Sequence, residues 1–145
     1  MTEDAAVQLI YARFRTKWED APISLPFEGR VVFDRDPFPG GKPPSGVQWA
    51  RLSVRYVAGG QRTLGSIGNR RYARFAKVFV HVFTPRFQSG AGHAGLSLAR
   101  KCRDIFEGTE FGGIIGENGR VYDQEPDETS LVHRVEVDVN HEAIK

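Results

Sequence analysis

Between Pro37 and Arg103 the chain contains no aspartate or glutamate. That segment carries 12 of the 20 lysines and arginines, while the two ends hold all 18 acids and the other 8 bases. A net charge of only +2 therefore conceals a basic middle between acidic ends. Three arrangements would use this division. Acidic end strands can lie beside basic middle strands within one subunit, a basic face can meet an acidic face of a neighbouring copy, or the basic segment can meet a polyanion. Cysteine is almost as scarce. Cys102 stands alone, which excludes an intrachain disulfide and any multi-cysteine zinc site. No apolar run approaches the ~20 residues that span a bilayer. The start, MTEDAAVQ, lacks the basic residues and apolar stretch of a signal peptide. The chain thus reads as a single 145-residue domain, made and used in a cytoplasm, with enough apolar residues (40%) for a core.

The stretch Arg70–Thr84, RRYARFAKVFVHVFT, predicts one long central strand ended by Pro85. Ala76, Val78, Val80 and Val82 form one face, small and apolar. Phe75, Lys77, Phe79, His81 and Phe83 form the other. An aromatic second face predicts cover from a helix or from another chain. Ala6, Ile10, Phe14 and Trp18 recur every four residues and predict a helix over Thr2–Trp18, opened by Thr2 and the acids Glu3 and Asp4. Phe27–Phe33 fits a short strand and an extended connector equally. Four prolines and three glycines make Asp34–Gly46 a long loop, with Phe38 its only large apolar residue.

Val47–Ala58 reads as a strand, and the glycine-rich Gly59–Asn69 joins it to the central strand as an antiparallel neighbour, with room for a short strand around Arg62–Leu64. A second helix is expected over Gly90–Glu107 on the stripe Ala91, Ala94, Leu98, Cys102, Ile105 and Phe106. Asn118-Gly119 predicts a two-residue hairpin between Ile114–Glu117 and Arg120–Gln124. A last alternating strand follows over Ser130–Asn140, with Leu131, His133, Val135, Val137 and Val139 inward. Together these elements predict an α+β domain: a mostly antiparallel β-sheet with two α-helices packed on it.

Catalytic chemistry finds little support. Gly40-Gly41-Lys42 fails as a phosphate loop, since Asp36 and Pro43 stand where glycine and a hydroxyl residue are required. Gly90-Ala91-Gly92-His93-Ala94-Gly95 matches the dinucleotide fingerprint in form but lies in an antiparallel context, and reads as a helix start packed closely on the sheet. His81, His93, His133 and His141 show no metal spacing, although His81 and His133 could meet across strands. Asp34/Asp36 and the acidic Asp123–Glu128 cluster read as solvated loops. Cys102 reads as a small core residue. Arg62, Arg70, Arg71, Arg74 and Lys77, with Tyr72 and Phe75 among them, would suit a stacking platform for nucleic acid. No cofactor is expected.

The order of features resembles the tail terminator proteins of long-tailed bacteriophages, the lambda U-like family, including those of phage-like gene transfer agents. The carriers are the N-terminal helix ending in Trp18, the proline segment leading to Gln48-Trp49, Arg62-Thr63-Leu64-Gly65 with Gly68, and Arg70-Arg71. The Val/Phe strand ending Phe83-Thr84-Pro85, the glycine segment opening a helix and the final alternating strand complete the series, over roughly residues 2–140. The resemblance implies a lambda U-like fold and a non-enzymatic structural protein. Such a protein forms a homo-hexameric ring on the end of the tail tube, stops tube polymerisation and provides the head-joining surface. Its implied partners are the tail tube protein and the head–tail connector (head completion) protein, without a membrane, and with DNA only as cargo passing through the ring lumen. Its place would be the virion tail or gene transfer agent particle, assembled in the bacterial host cytoplasm. On this reading Arg62, Leu64, Ile67, Arg70 and Arg71 would meet the tail tube, and Phe75, Phe79 and Phe83 would meet the next subunit. Other head–tail connectors or minor tail proteins of the same fold, and a small nucleic-acid-binding domain, are the alternatives.

Overall fold

The computed structural model describes residues 1–61, 68 and 70–144. Helix α1 spans Glu3–Glu19. The Thr2 hydroxyl accepts from the Ala5 N–H at 3.1 Å and caps it, with Glu3 and Asp4 in the positive first turn. Ala6, Ile10, Phe14 and Trp18 are buried as the four-residue spacing requires. Trp18 Nε1 donates to the Pro26 carbonyl at 3.0 Å and holds the outgoing chain against the helix. Of Phe27–Phe33 only Val31–Phe33 is a strand, β1.

The proline-rich loop follows, with a short 3-10 turn at Pro39–Gly41, and leads into β2, Trp49–Gln61. Strand β3 is Arg71–Pro85 and pairs antiparallel with β2. Helix α2 covers Ala91–Phe106. Then come β4 (Glu110–Phe111), β5 (Ile114–Gln124) and β6 (Ser130–Ile144). The sheet order is β1-β2-β3-β6-β5-β4, so β3 is interior as expected. β1 runs parallel to β2 and the other described pairings are antiparallel.

Both helices sit on one face. Ala50, Leu52 and Val54 of β2, Ala76, Val78, Val80 and Val82 of β3, and Val135, Val137 and Val139 of β6 form one buried cluster with Phe14, Trp18, Leu98, Cys102 and Phe106. Each large side chain there contributes about 2–3 kcal/mol by leaving water. Among the described residues, the opposite face is covered at one end only. There Phe38 of the proline-rich loop, Trp49, Val32 and Phe83 make a second, smaller cluster.

Three local expectations fail. Asn118-Gly119 is not a hairpin turn. β5 runs unbroken through it, and the register against β6 shifts between Glu117↔Asp138 and Arg120↔Glu136, a bulge whose extra residue is Asn118 at φ 52°. The turn lies earlier, at Gly112-Gly113, between β4 and β5. Both glycines have positive φ, as the tight two-residue hairpin turn requires. Ala94 is exposed, and the buried stripe of α2 uses Gly95 and Ala99 instead. The reason is proximity: a Cβ on Gly95 would lie 2.6 Å from His133 Cε1. Finally, His81 and His133 point to opposite faces of the sheet and do not meet, because His81 is paired with Arg134 and His133 with Val82.

Candidate interaction surface

The face of the sheet away from the helices is where chemistry is concentrated. Its rows follow from the register. Trp49, Phe83, Val132 and Gln124 form one; Arg51, His81, Arg134 and Tyr122 the next. Ser53, Phe79, Glu136 and Arg120 follow, then Arg55, Lys77, Asp138 and Glu117, and then Phe75, Asn140 and Ile115. The expected helix cover is absent among the described residues, since both helices bury their stripes against the other face. Phe75 is exposed, and Phe79 is half-buried within this chain. Phe83 differs. Its ring stacks on Trp49 at 3.8 Å and 6°, with Phe38 of the proline-rich loop edge-on to Trp49 at 4.8 Å, so Trp49 already covers it. Of the three phenylalanines expected at a subunit interface, Phe83 is thus largely spent inside the subunit.

Sequence reading missed two members of this face. Ile115 and Tyr122 on β5 are exposed and share it with Phe75 and Phe79. They were hidden because β5 reads as two short hairpin arms; its continuity shows only in its pairing with β6.

Of the residues expected at a tail tube, Arg62, Leu64 and Ile67 lie outside the described residues, as does the short strand around them. Arg70 is half-buried just before β3. Arg71 opens β3 and lies 4.0 Å from Glu142. The basic middle is in part neutralised by the acidic ends within the chain. Arg74 reaches Glu3 at 3.5 Å, Lys77 lies 3.9 Å from both Glu136 and Asp138, and Arg55 grips Asp34 with two bonds of 2.8 and 3.0 Å. The Arg55 guanidinium holds the Asp34 carboxyl below the usual carboxylate range, chiefly through those hydrogen bonds. These pairs are mostly solvated, and each is worth under about 1 kcal/mol.

The remaining candidates have structural explanations. The Cys102 thiol is fully buried, and burial pushes its pKa far up. The glycine fingerprint begins with Gly90 in the left-handed conformation and ends with Gly95 against His133 and Thr84, a close helix–sheet contact. His133 is buried, with Nε2 3.4 Å from Asp123 Oδ1. Among the described residues no group of three or more His, Cys, Asp or Glu side chains is placed to hold a metal ion. Among the described residues no helix is long and apolar enough to cross a membrane.

No protein-family model matches this chain, and no curated protein does. A solved structure with no stated activity is similar to it over 100% of this chain and 96% of its own, with a TM-score of 0.56 and 16% identity. At that identity the likeness speaks to the fold alone. It places the whole chain, helices and sheet together, in one α+β architecture.

Proposed function

We propose that this protein is a structural component of a phage-type tail, a lambda U-like tail terminator that closes into a hexameric ring on the tail tube. The observation that carries the reading is the half-covered sheet. Both helices pack on one side, while Phe75, Phe79, Ile115 and Tyr122 remain on the other. A ring with heterologous contacts needs such a face, met by a different face of the next copy. The order of sequence features is the second support. Because Arg55, Arg71, Arg74 and Lys77 already have acidic partners in the chain, apolar contact rather than charge would dominate the subunit interface. The 59–71 connection would touch the tube, with Leu64 and Ile67 as apolar anchors and Arg62, Arg70 and Arg71 at the rim.

Purified protein added to tail tubes and viewed by negative-stain microscopy tests this. Rings on tube ends, lost in a folded Phe75→Ser/Phe79→Ser variant, are the expected result. Ring formation should also weaken little with salt. Tubes that remain bare at every protein concentration would refute the terminator reading. Normal capping by a Leu64→Ser/Ile67→Ser variant would remove that connection from the tube contact. The nucleic-acid reading of Arg62–Lys77 has less to stand on, since Arg74 is engaged by Glu3 and lies 5.1 Å over the Tyr72 ring.

A further inference from the structure

The open face carries one row of unbalanced charge. Arg51 of β2, His81 of β3 and Arg134 of β6 are direct cross-strand neighbours, with Tyr122 of β5 completing the row. No acid lies in it. The other charged rows are matched internally: Arg55 and Lys77 are in register with Asp138 and Glu117, and Glu136 with Arg120.

We infer that the Arg51–His81–Arg134 row is a binding site for a single oxyanion of the phosphoryl class. Arg51 and Arg134 stand on strands two inter-strand spacings apart, about 9.5 Å between backbones, a span that two long side chains swung toward His81 can close on one such ion. Arg51 is braced from behind, its Nη1 donating to the main-chain carbonyls of Asp34 and Asp36, which leaves the rest of the fork available. Arg134 lies over the Tyr122 ring at 5.0 Å, with Nη2 3.9 Å from Glu136, and its Nε is buried without a partner. Glu136 also lies 3.9 Å from Lys77, which is itself 3.9 Å from Asp138, so the carboxylate beside Arg134 is a shared one. His81 sits between Arg51 and Arg134 in the row. Burial first, then Arg134 and Arg51, push its pKa down, so the site offers one fewer positive charge until an anion arrives. Two forks and an imidazole N–H suit a tetrahedral ion, which has acceptors in more directions than a carboxylate.

Free phosphate and a nucleic-acid backbone present the same group. The test follows the His81 ring by NMR, assigned with His81→Asn, while inorganic phosphate, acetate or a short oligothymidylate is added at constant ionic strength. The expected result is a saturable shift with phosphate, a rise in the His81 titration midpoint, and tighter binding at lower pH. Arg134→Gln and Arg51→Lys should each weaken binding by about tenfold or more, with Arg100→Gln on the outer side of α2 as the unaffected control. Tighter binding of the oligonucleotide than of phosphate would assign the backbone as the source, and equal or weaker binding the free ion. Either sustains the site. No saturable shift, an equal response to acetate, or unchanged affinity in folded Arg134→Gln would overturn it.

Discussion

Gly95 and Gly92 lie one turn apart on α2, and replacing each by alanine should have opposite effects. A Cβ at Gly92 meets nothing within 4 Å. A Cβ at Gly95 would stand 2.6 Å from His133 Cε1, 2.7 Å from its Nδ1 and 2.9 Å from Thr84 Oγ1. These atoms have little room to retreat. His133 and Thr84 are both buried, and Thr84 Oγ1 accepts from Gln48 Nε2 at 3.1 Å. Both substitutions gain helix propensity, roughly 0.5–1 kcal/mol. Only Gly95→Ala adds overpacking, at about 1–3 kcal/mol. The gap between the variants therefore isolates the clash. At this chain length it corresponds to a melting-temperature difference of about 3–10 °C. Urea unfolding followed by the fluorescence of the buried Trp18 and Trp49 measures it, with the slope checked for constancy. His133→Ala combined with Gly95→Ala should recover part of the loss, as a coupling between touching residues. If Gly95→Ala is as stable as Gly92→Ala, the close approach of helix and sheet described here is wrong.

Phe83→Ala should cost about 2–3 kcal/mol and hasten proteolysis within 34–46, whereas Phe79→Ala should cost the isolated subunit about 1 kcal/mol and act on assembly instead. Proteolysis unchanged by Phe83→Ala would separate the loop from that ring. Tyr56 should titrate late. Its hydroxyl shares a 2.7 Å hydrogen bond with His141 Nε2, and burial, then Glu3 and Asp4, raise its pKa from 10.0 to about 12. A raised folded value favours the fold fully below pH 10, and that support fades as pH climbs toward 12. Near-ultraviolet titration of wild type against Tyr56→Phe reads it, and an identical alkaline transition in both would refute it. Cys102 should ignore a chromogenic disulfide in the native state and react at once in urea; rapid native labelling would contradict its burial.

Much of the layout is legible from residue spacing. The four-residue recurrence of Ala6, Ile10, Phe14 and Trp18 and the alternation of Ala76 to Val82 describe single elements, and each was buried as written. The errors concern choices between elements. Asn118-Gly119 and Gly112-Gly113 are both competent hairpin turns, and nothing local decides between them. The pairing with β6 does, since β5 runs along it from Ile115 to Gln124 and the Asn-Gly pair becomes a bulge. Ala94 lost its place to Gly95 because the imidazole of His133, far along the chain, occupies the room a methyl would need. Alternation in β3 shows an aromatic open face, but that Phe83 is claimed by Trp49 and the Phe38 cluster depends on where a thirteen-residue loop folds back, which hydrophobic periodicity does not encode.

Phe38 acts as a button on that loop. With its ring fixed against Trp49, the loop from Asp34 to Gly46 behaves as two short tethers rather than one long one, and the conformational freedom on either side is nearly independent. Gly40 and Gly41, just past the button, are exposed with open space around them. A fluorescent or affinity peptide spliced there would hang from a fixed post on the open side of the sheet. It would leave the fastening and both strands undisturbed, and it would report directly on what approaches that side.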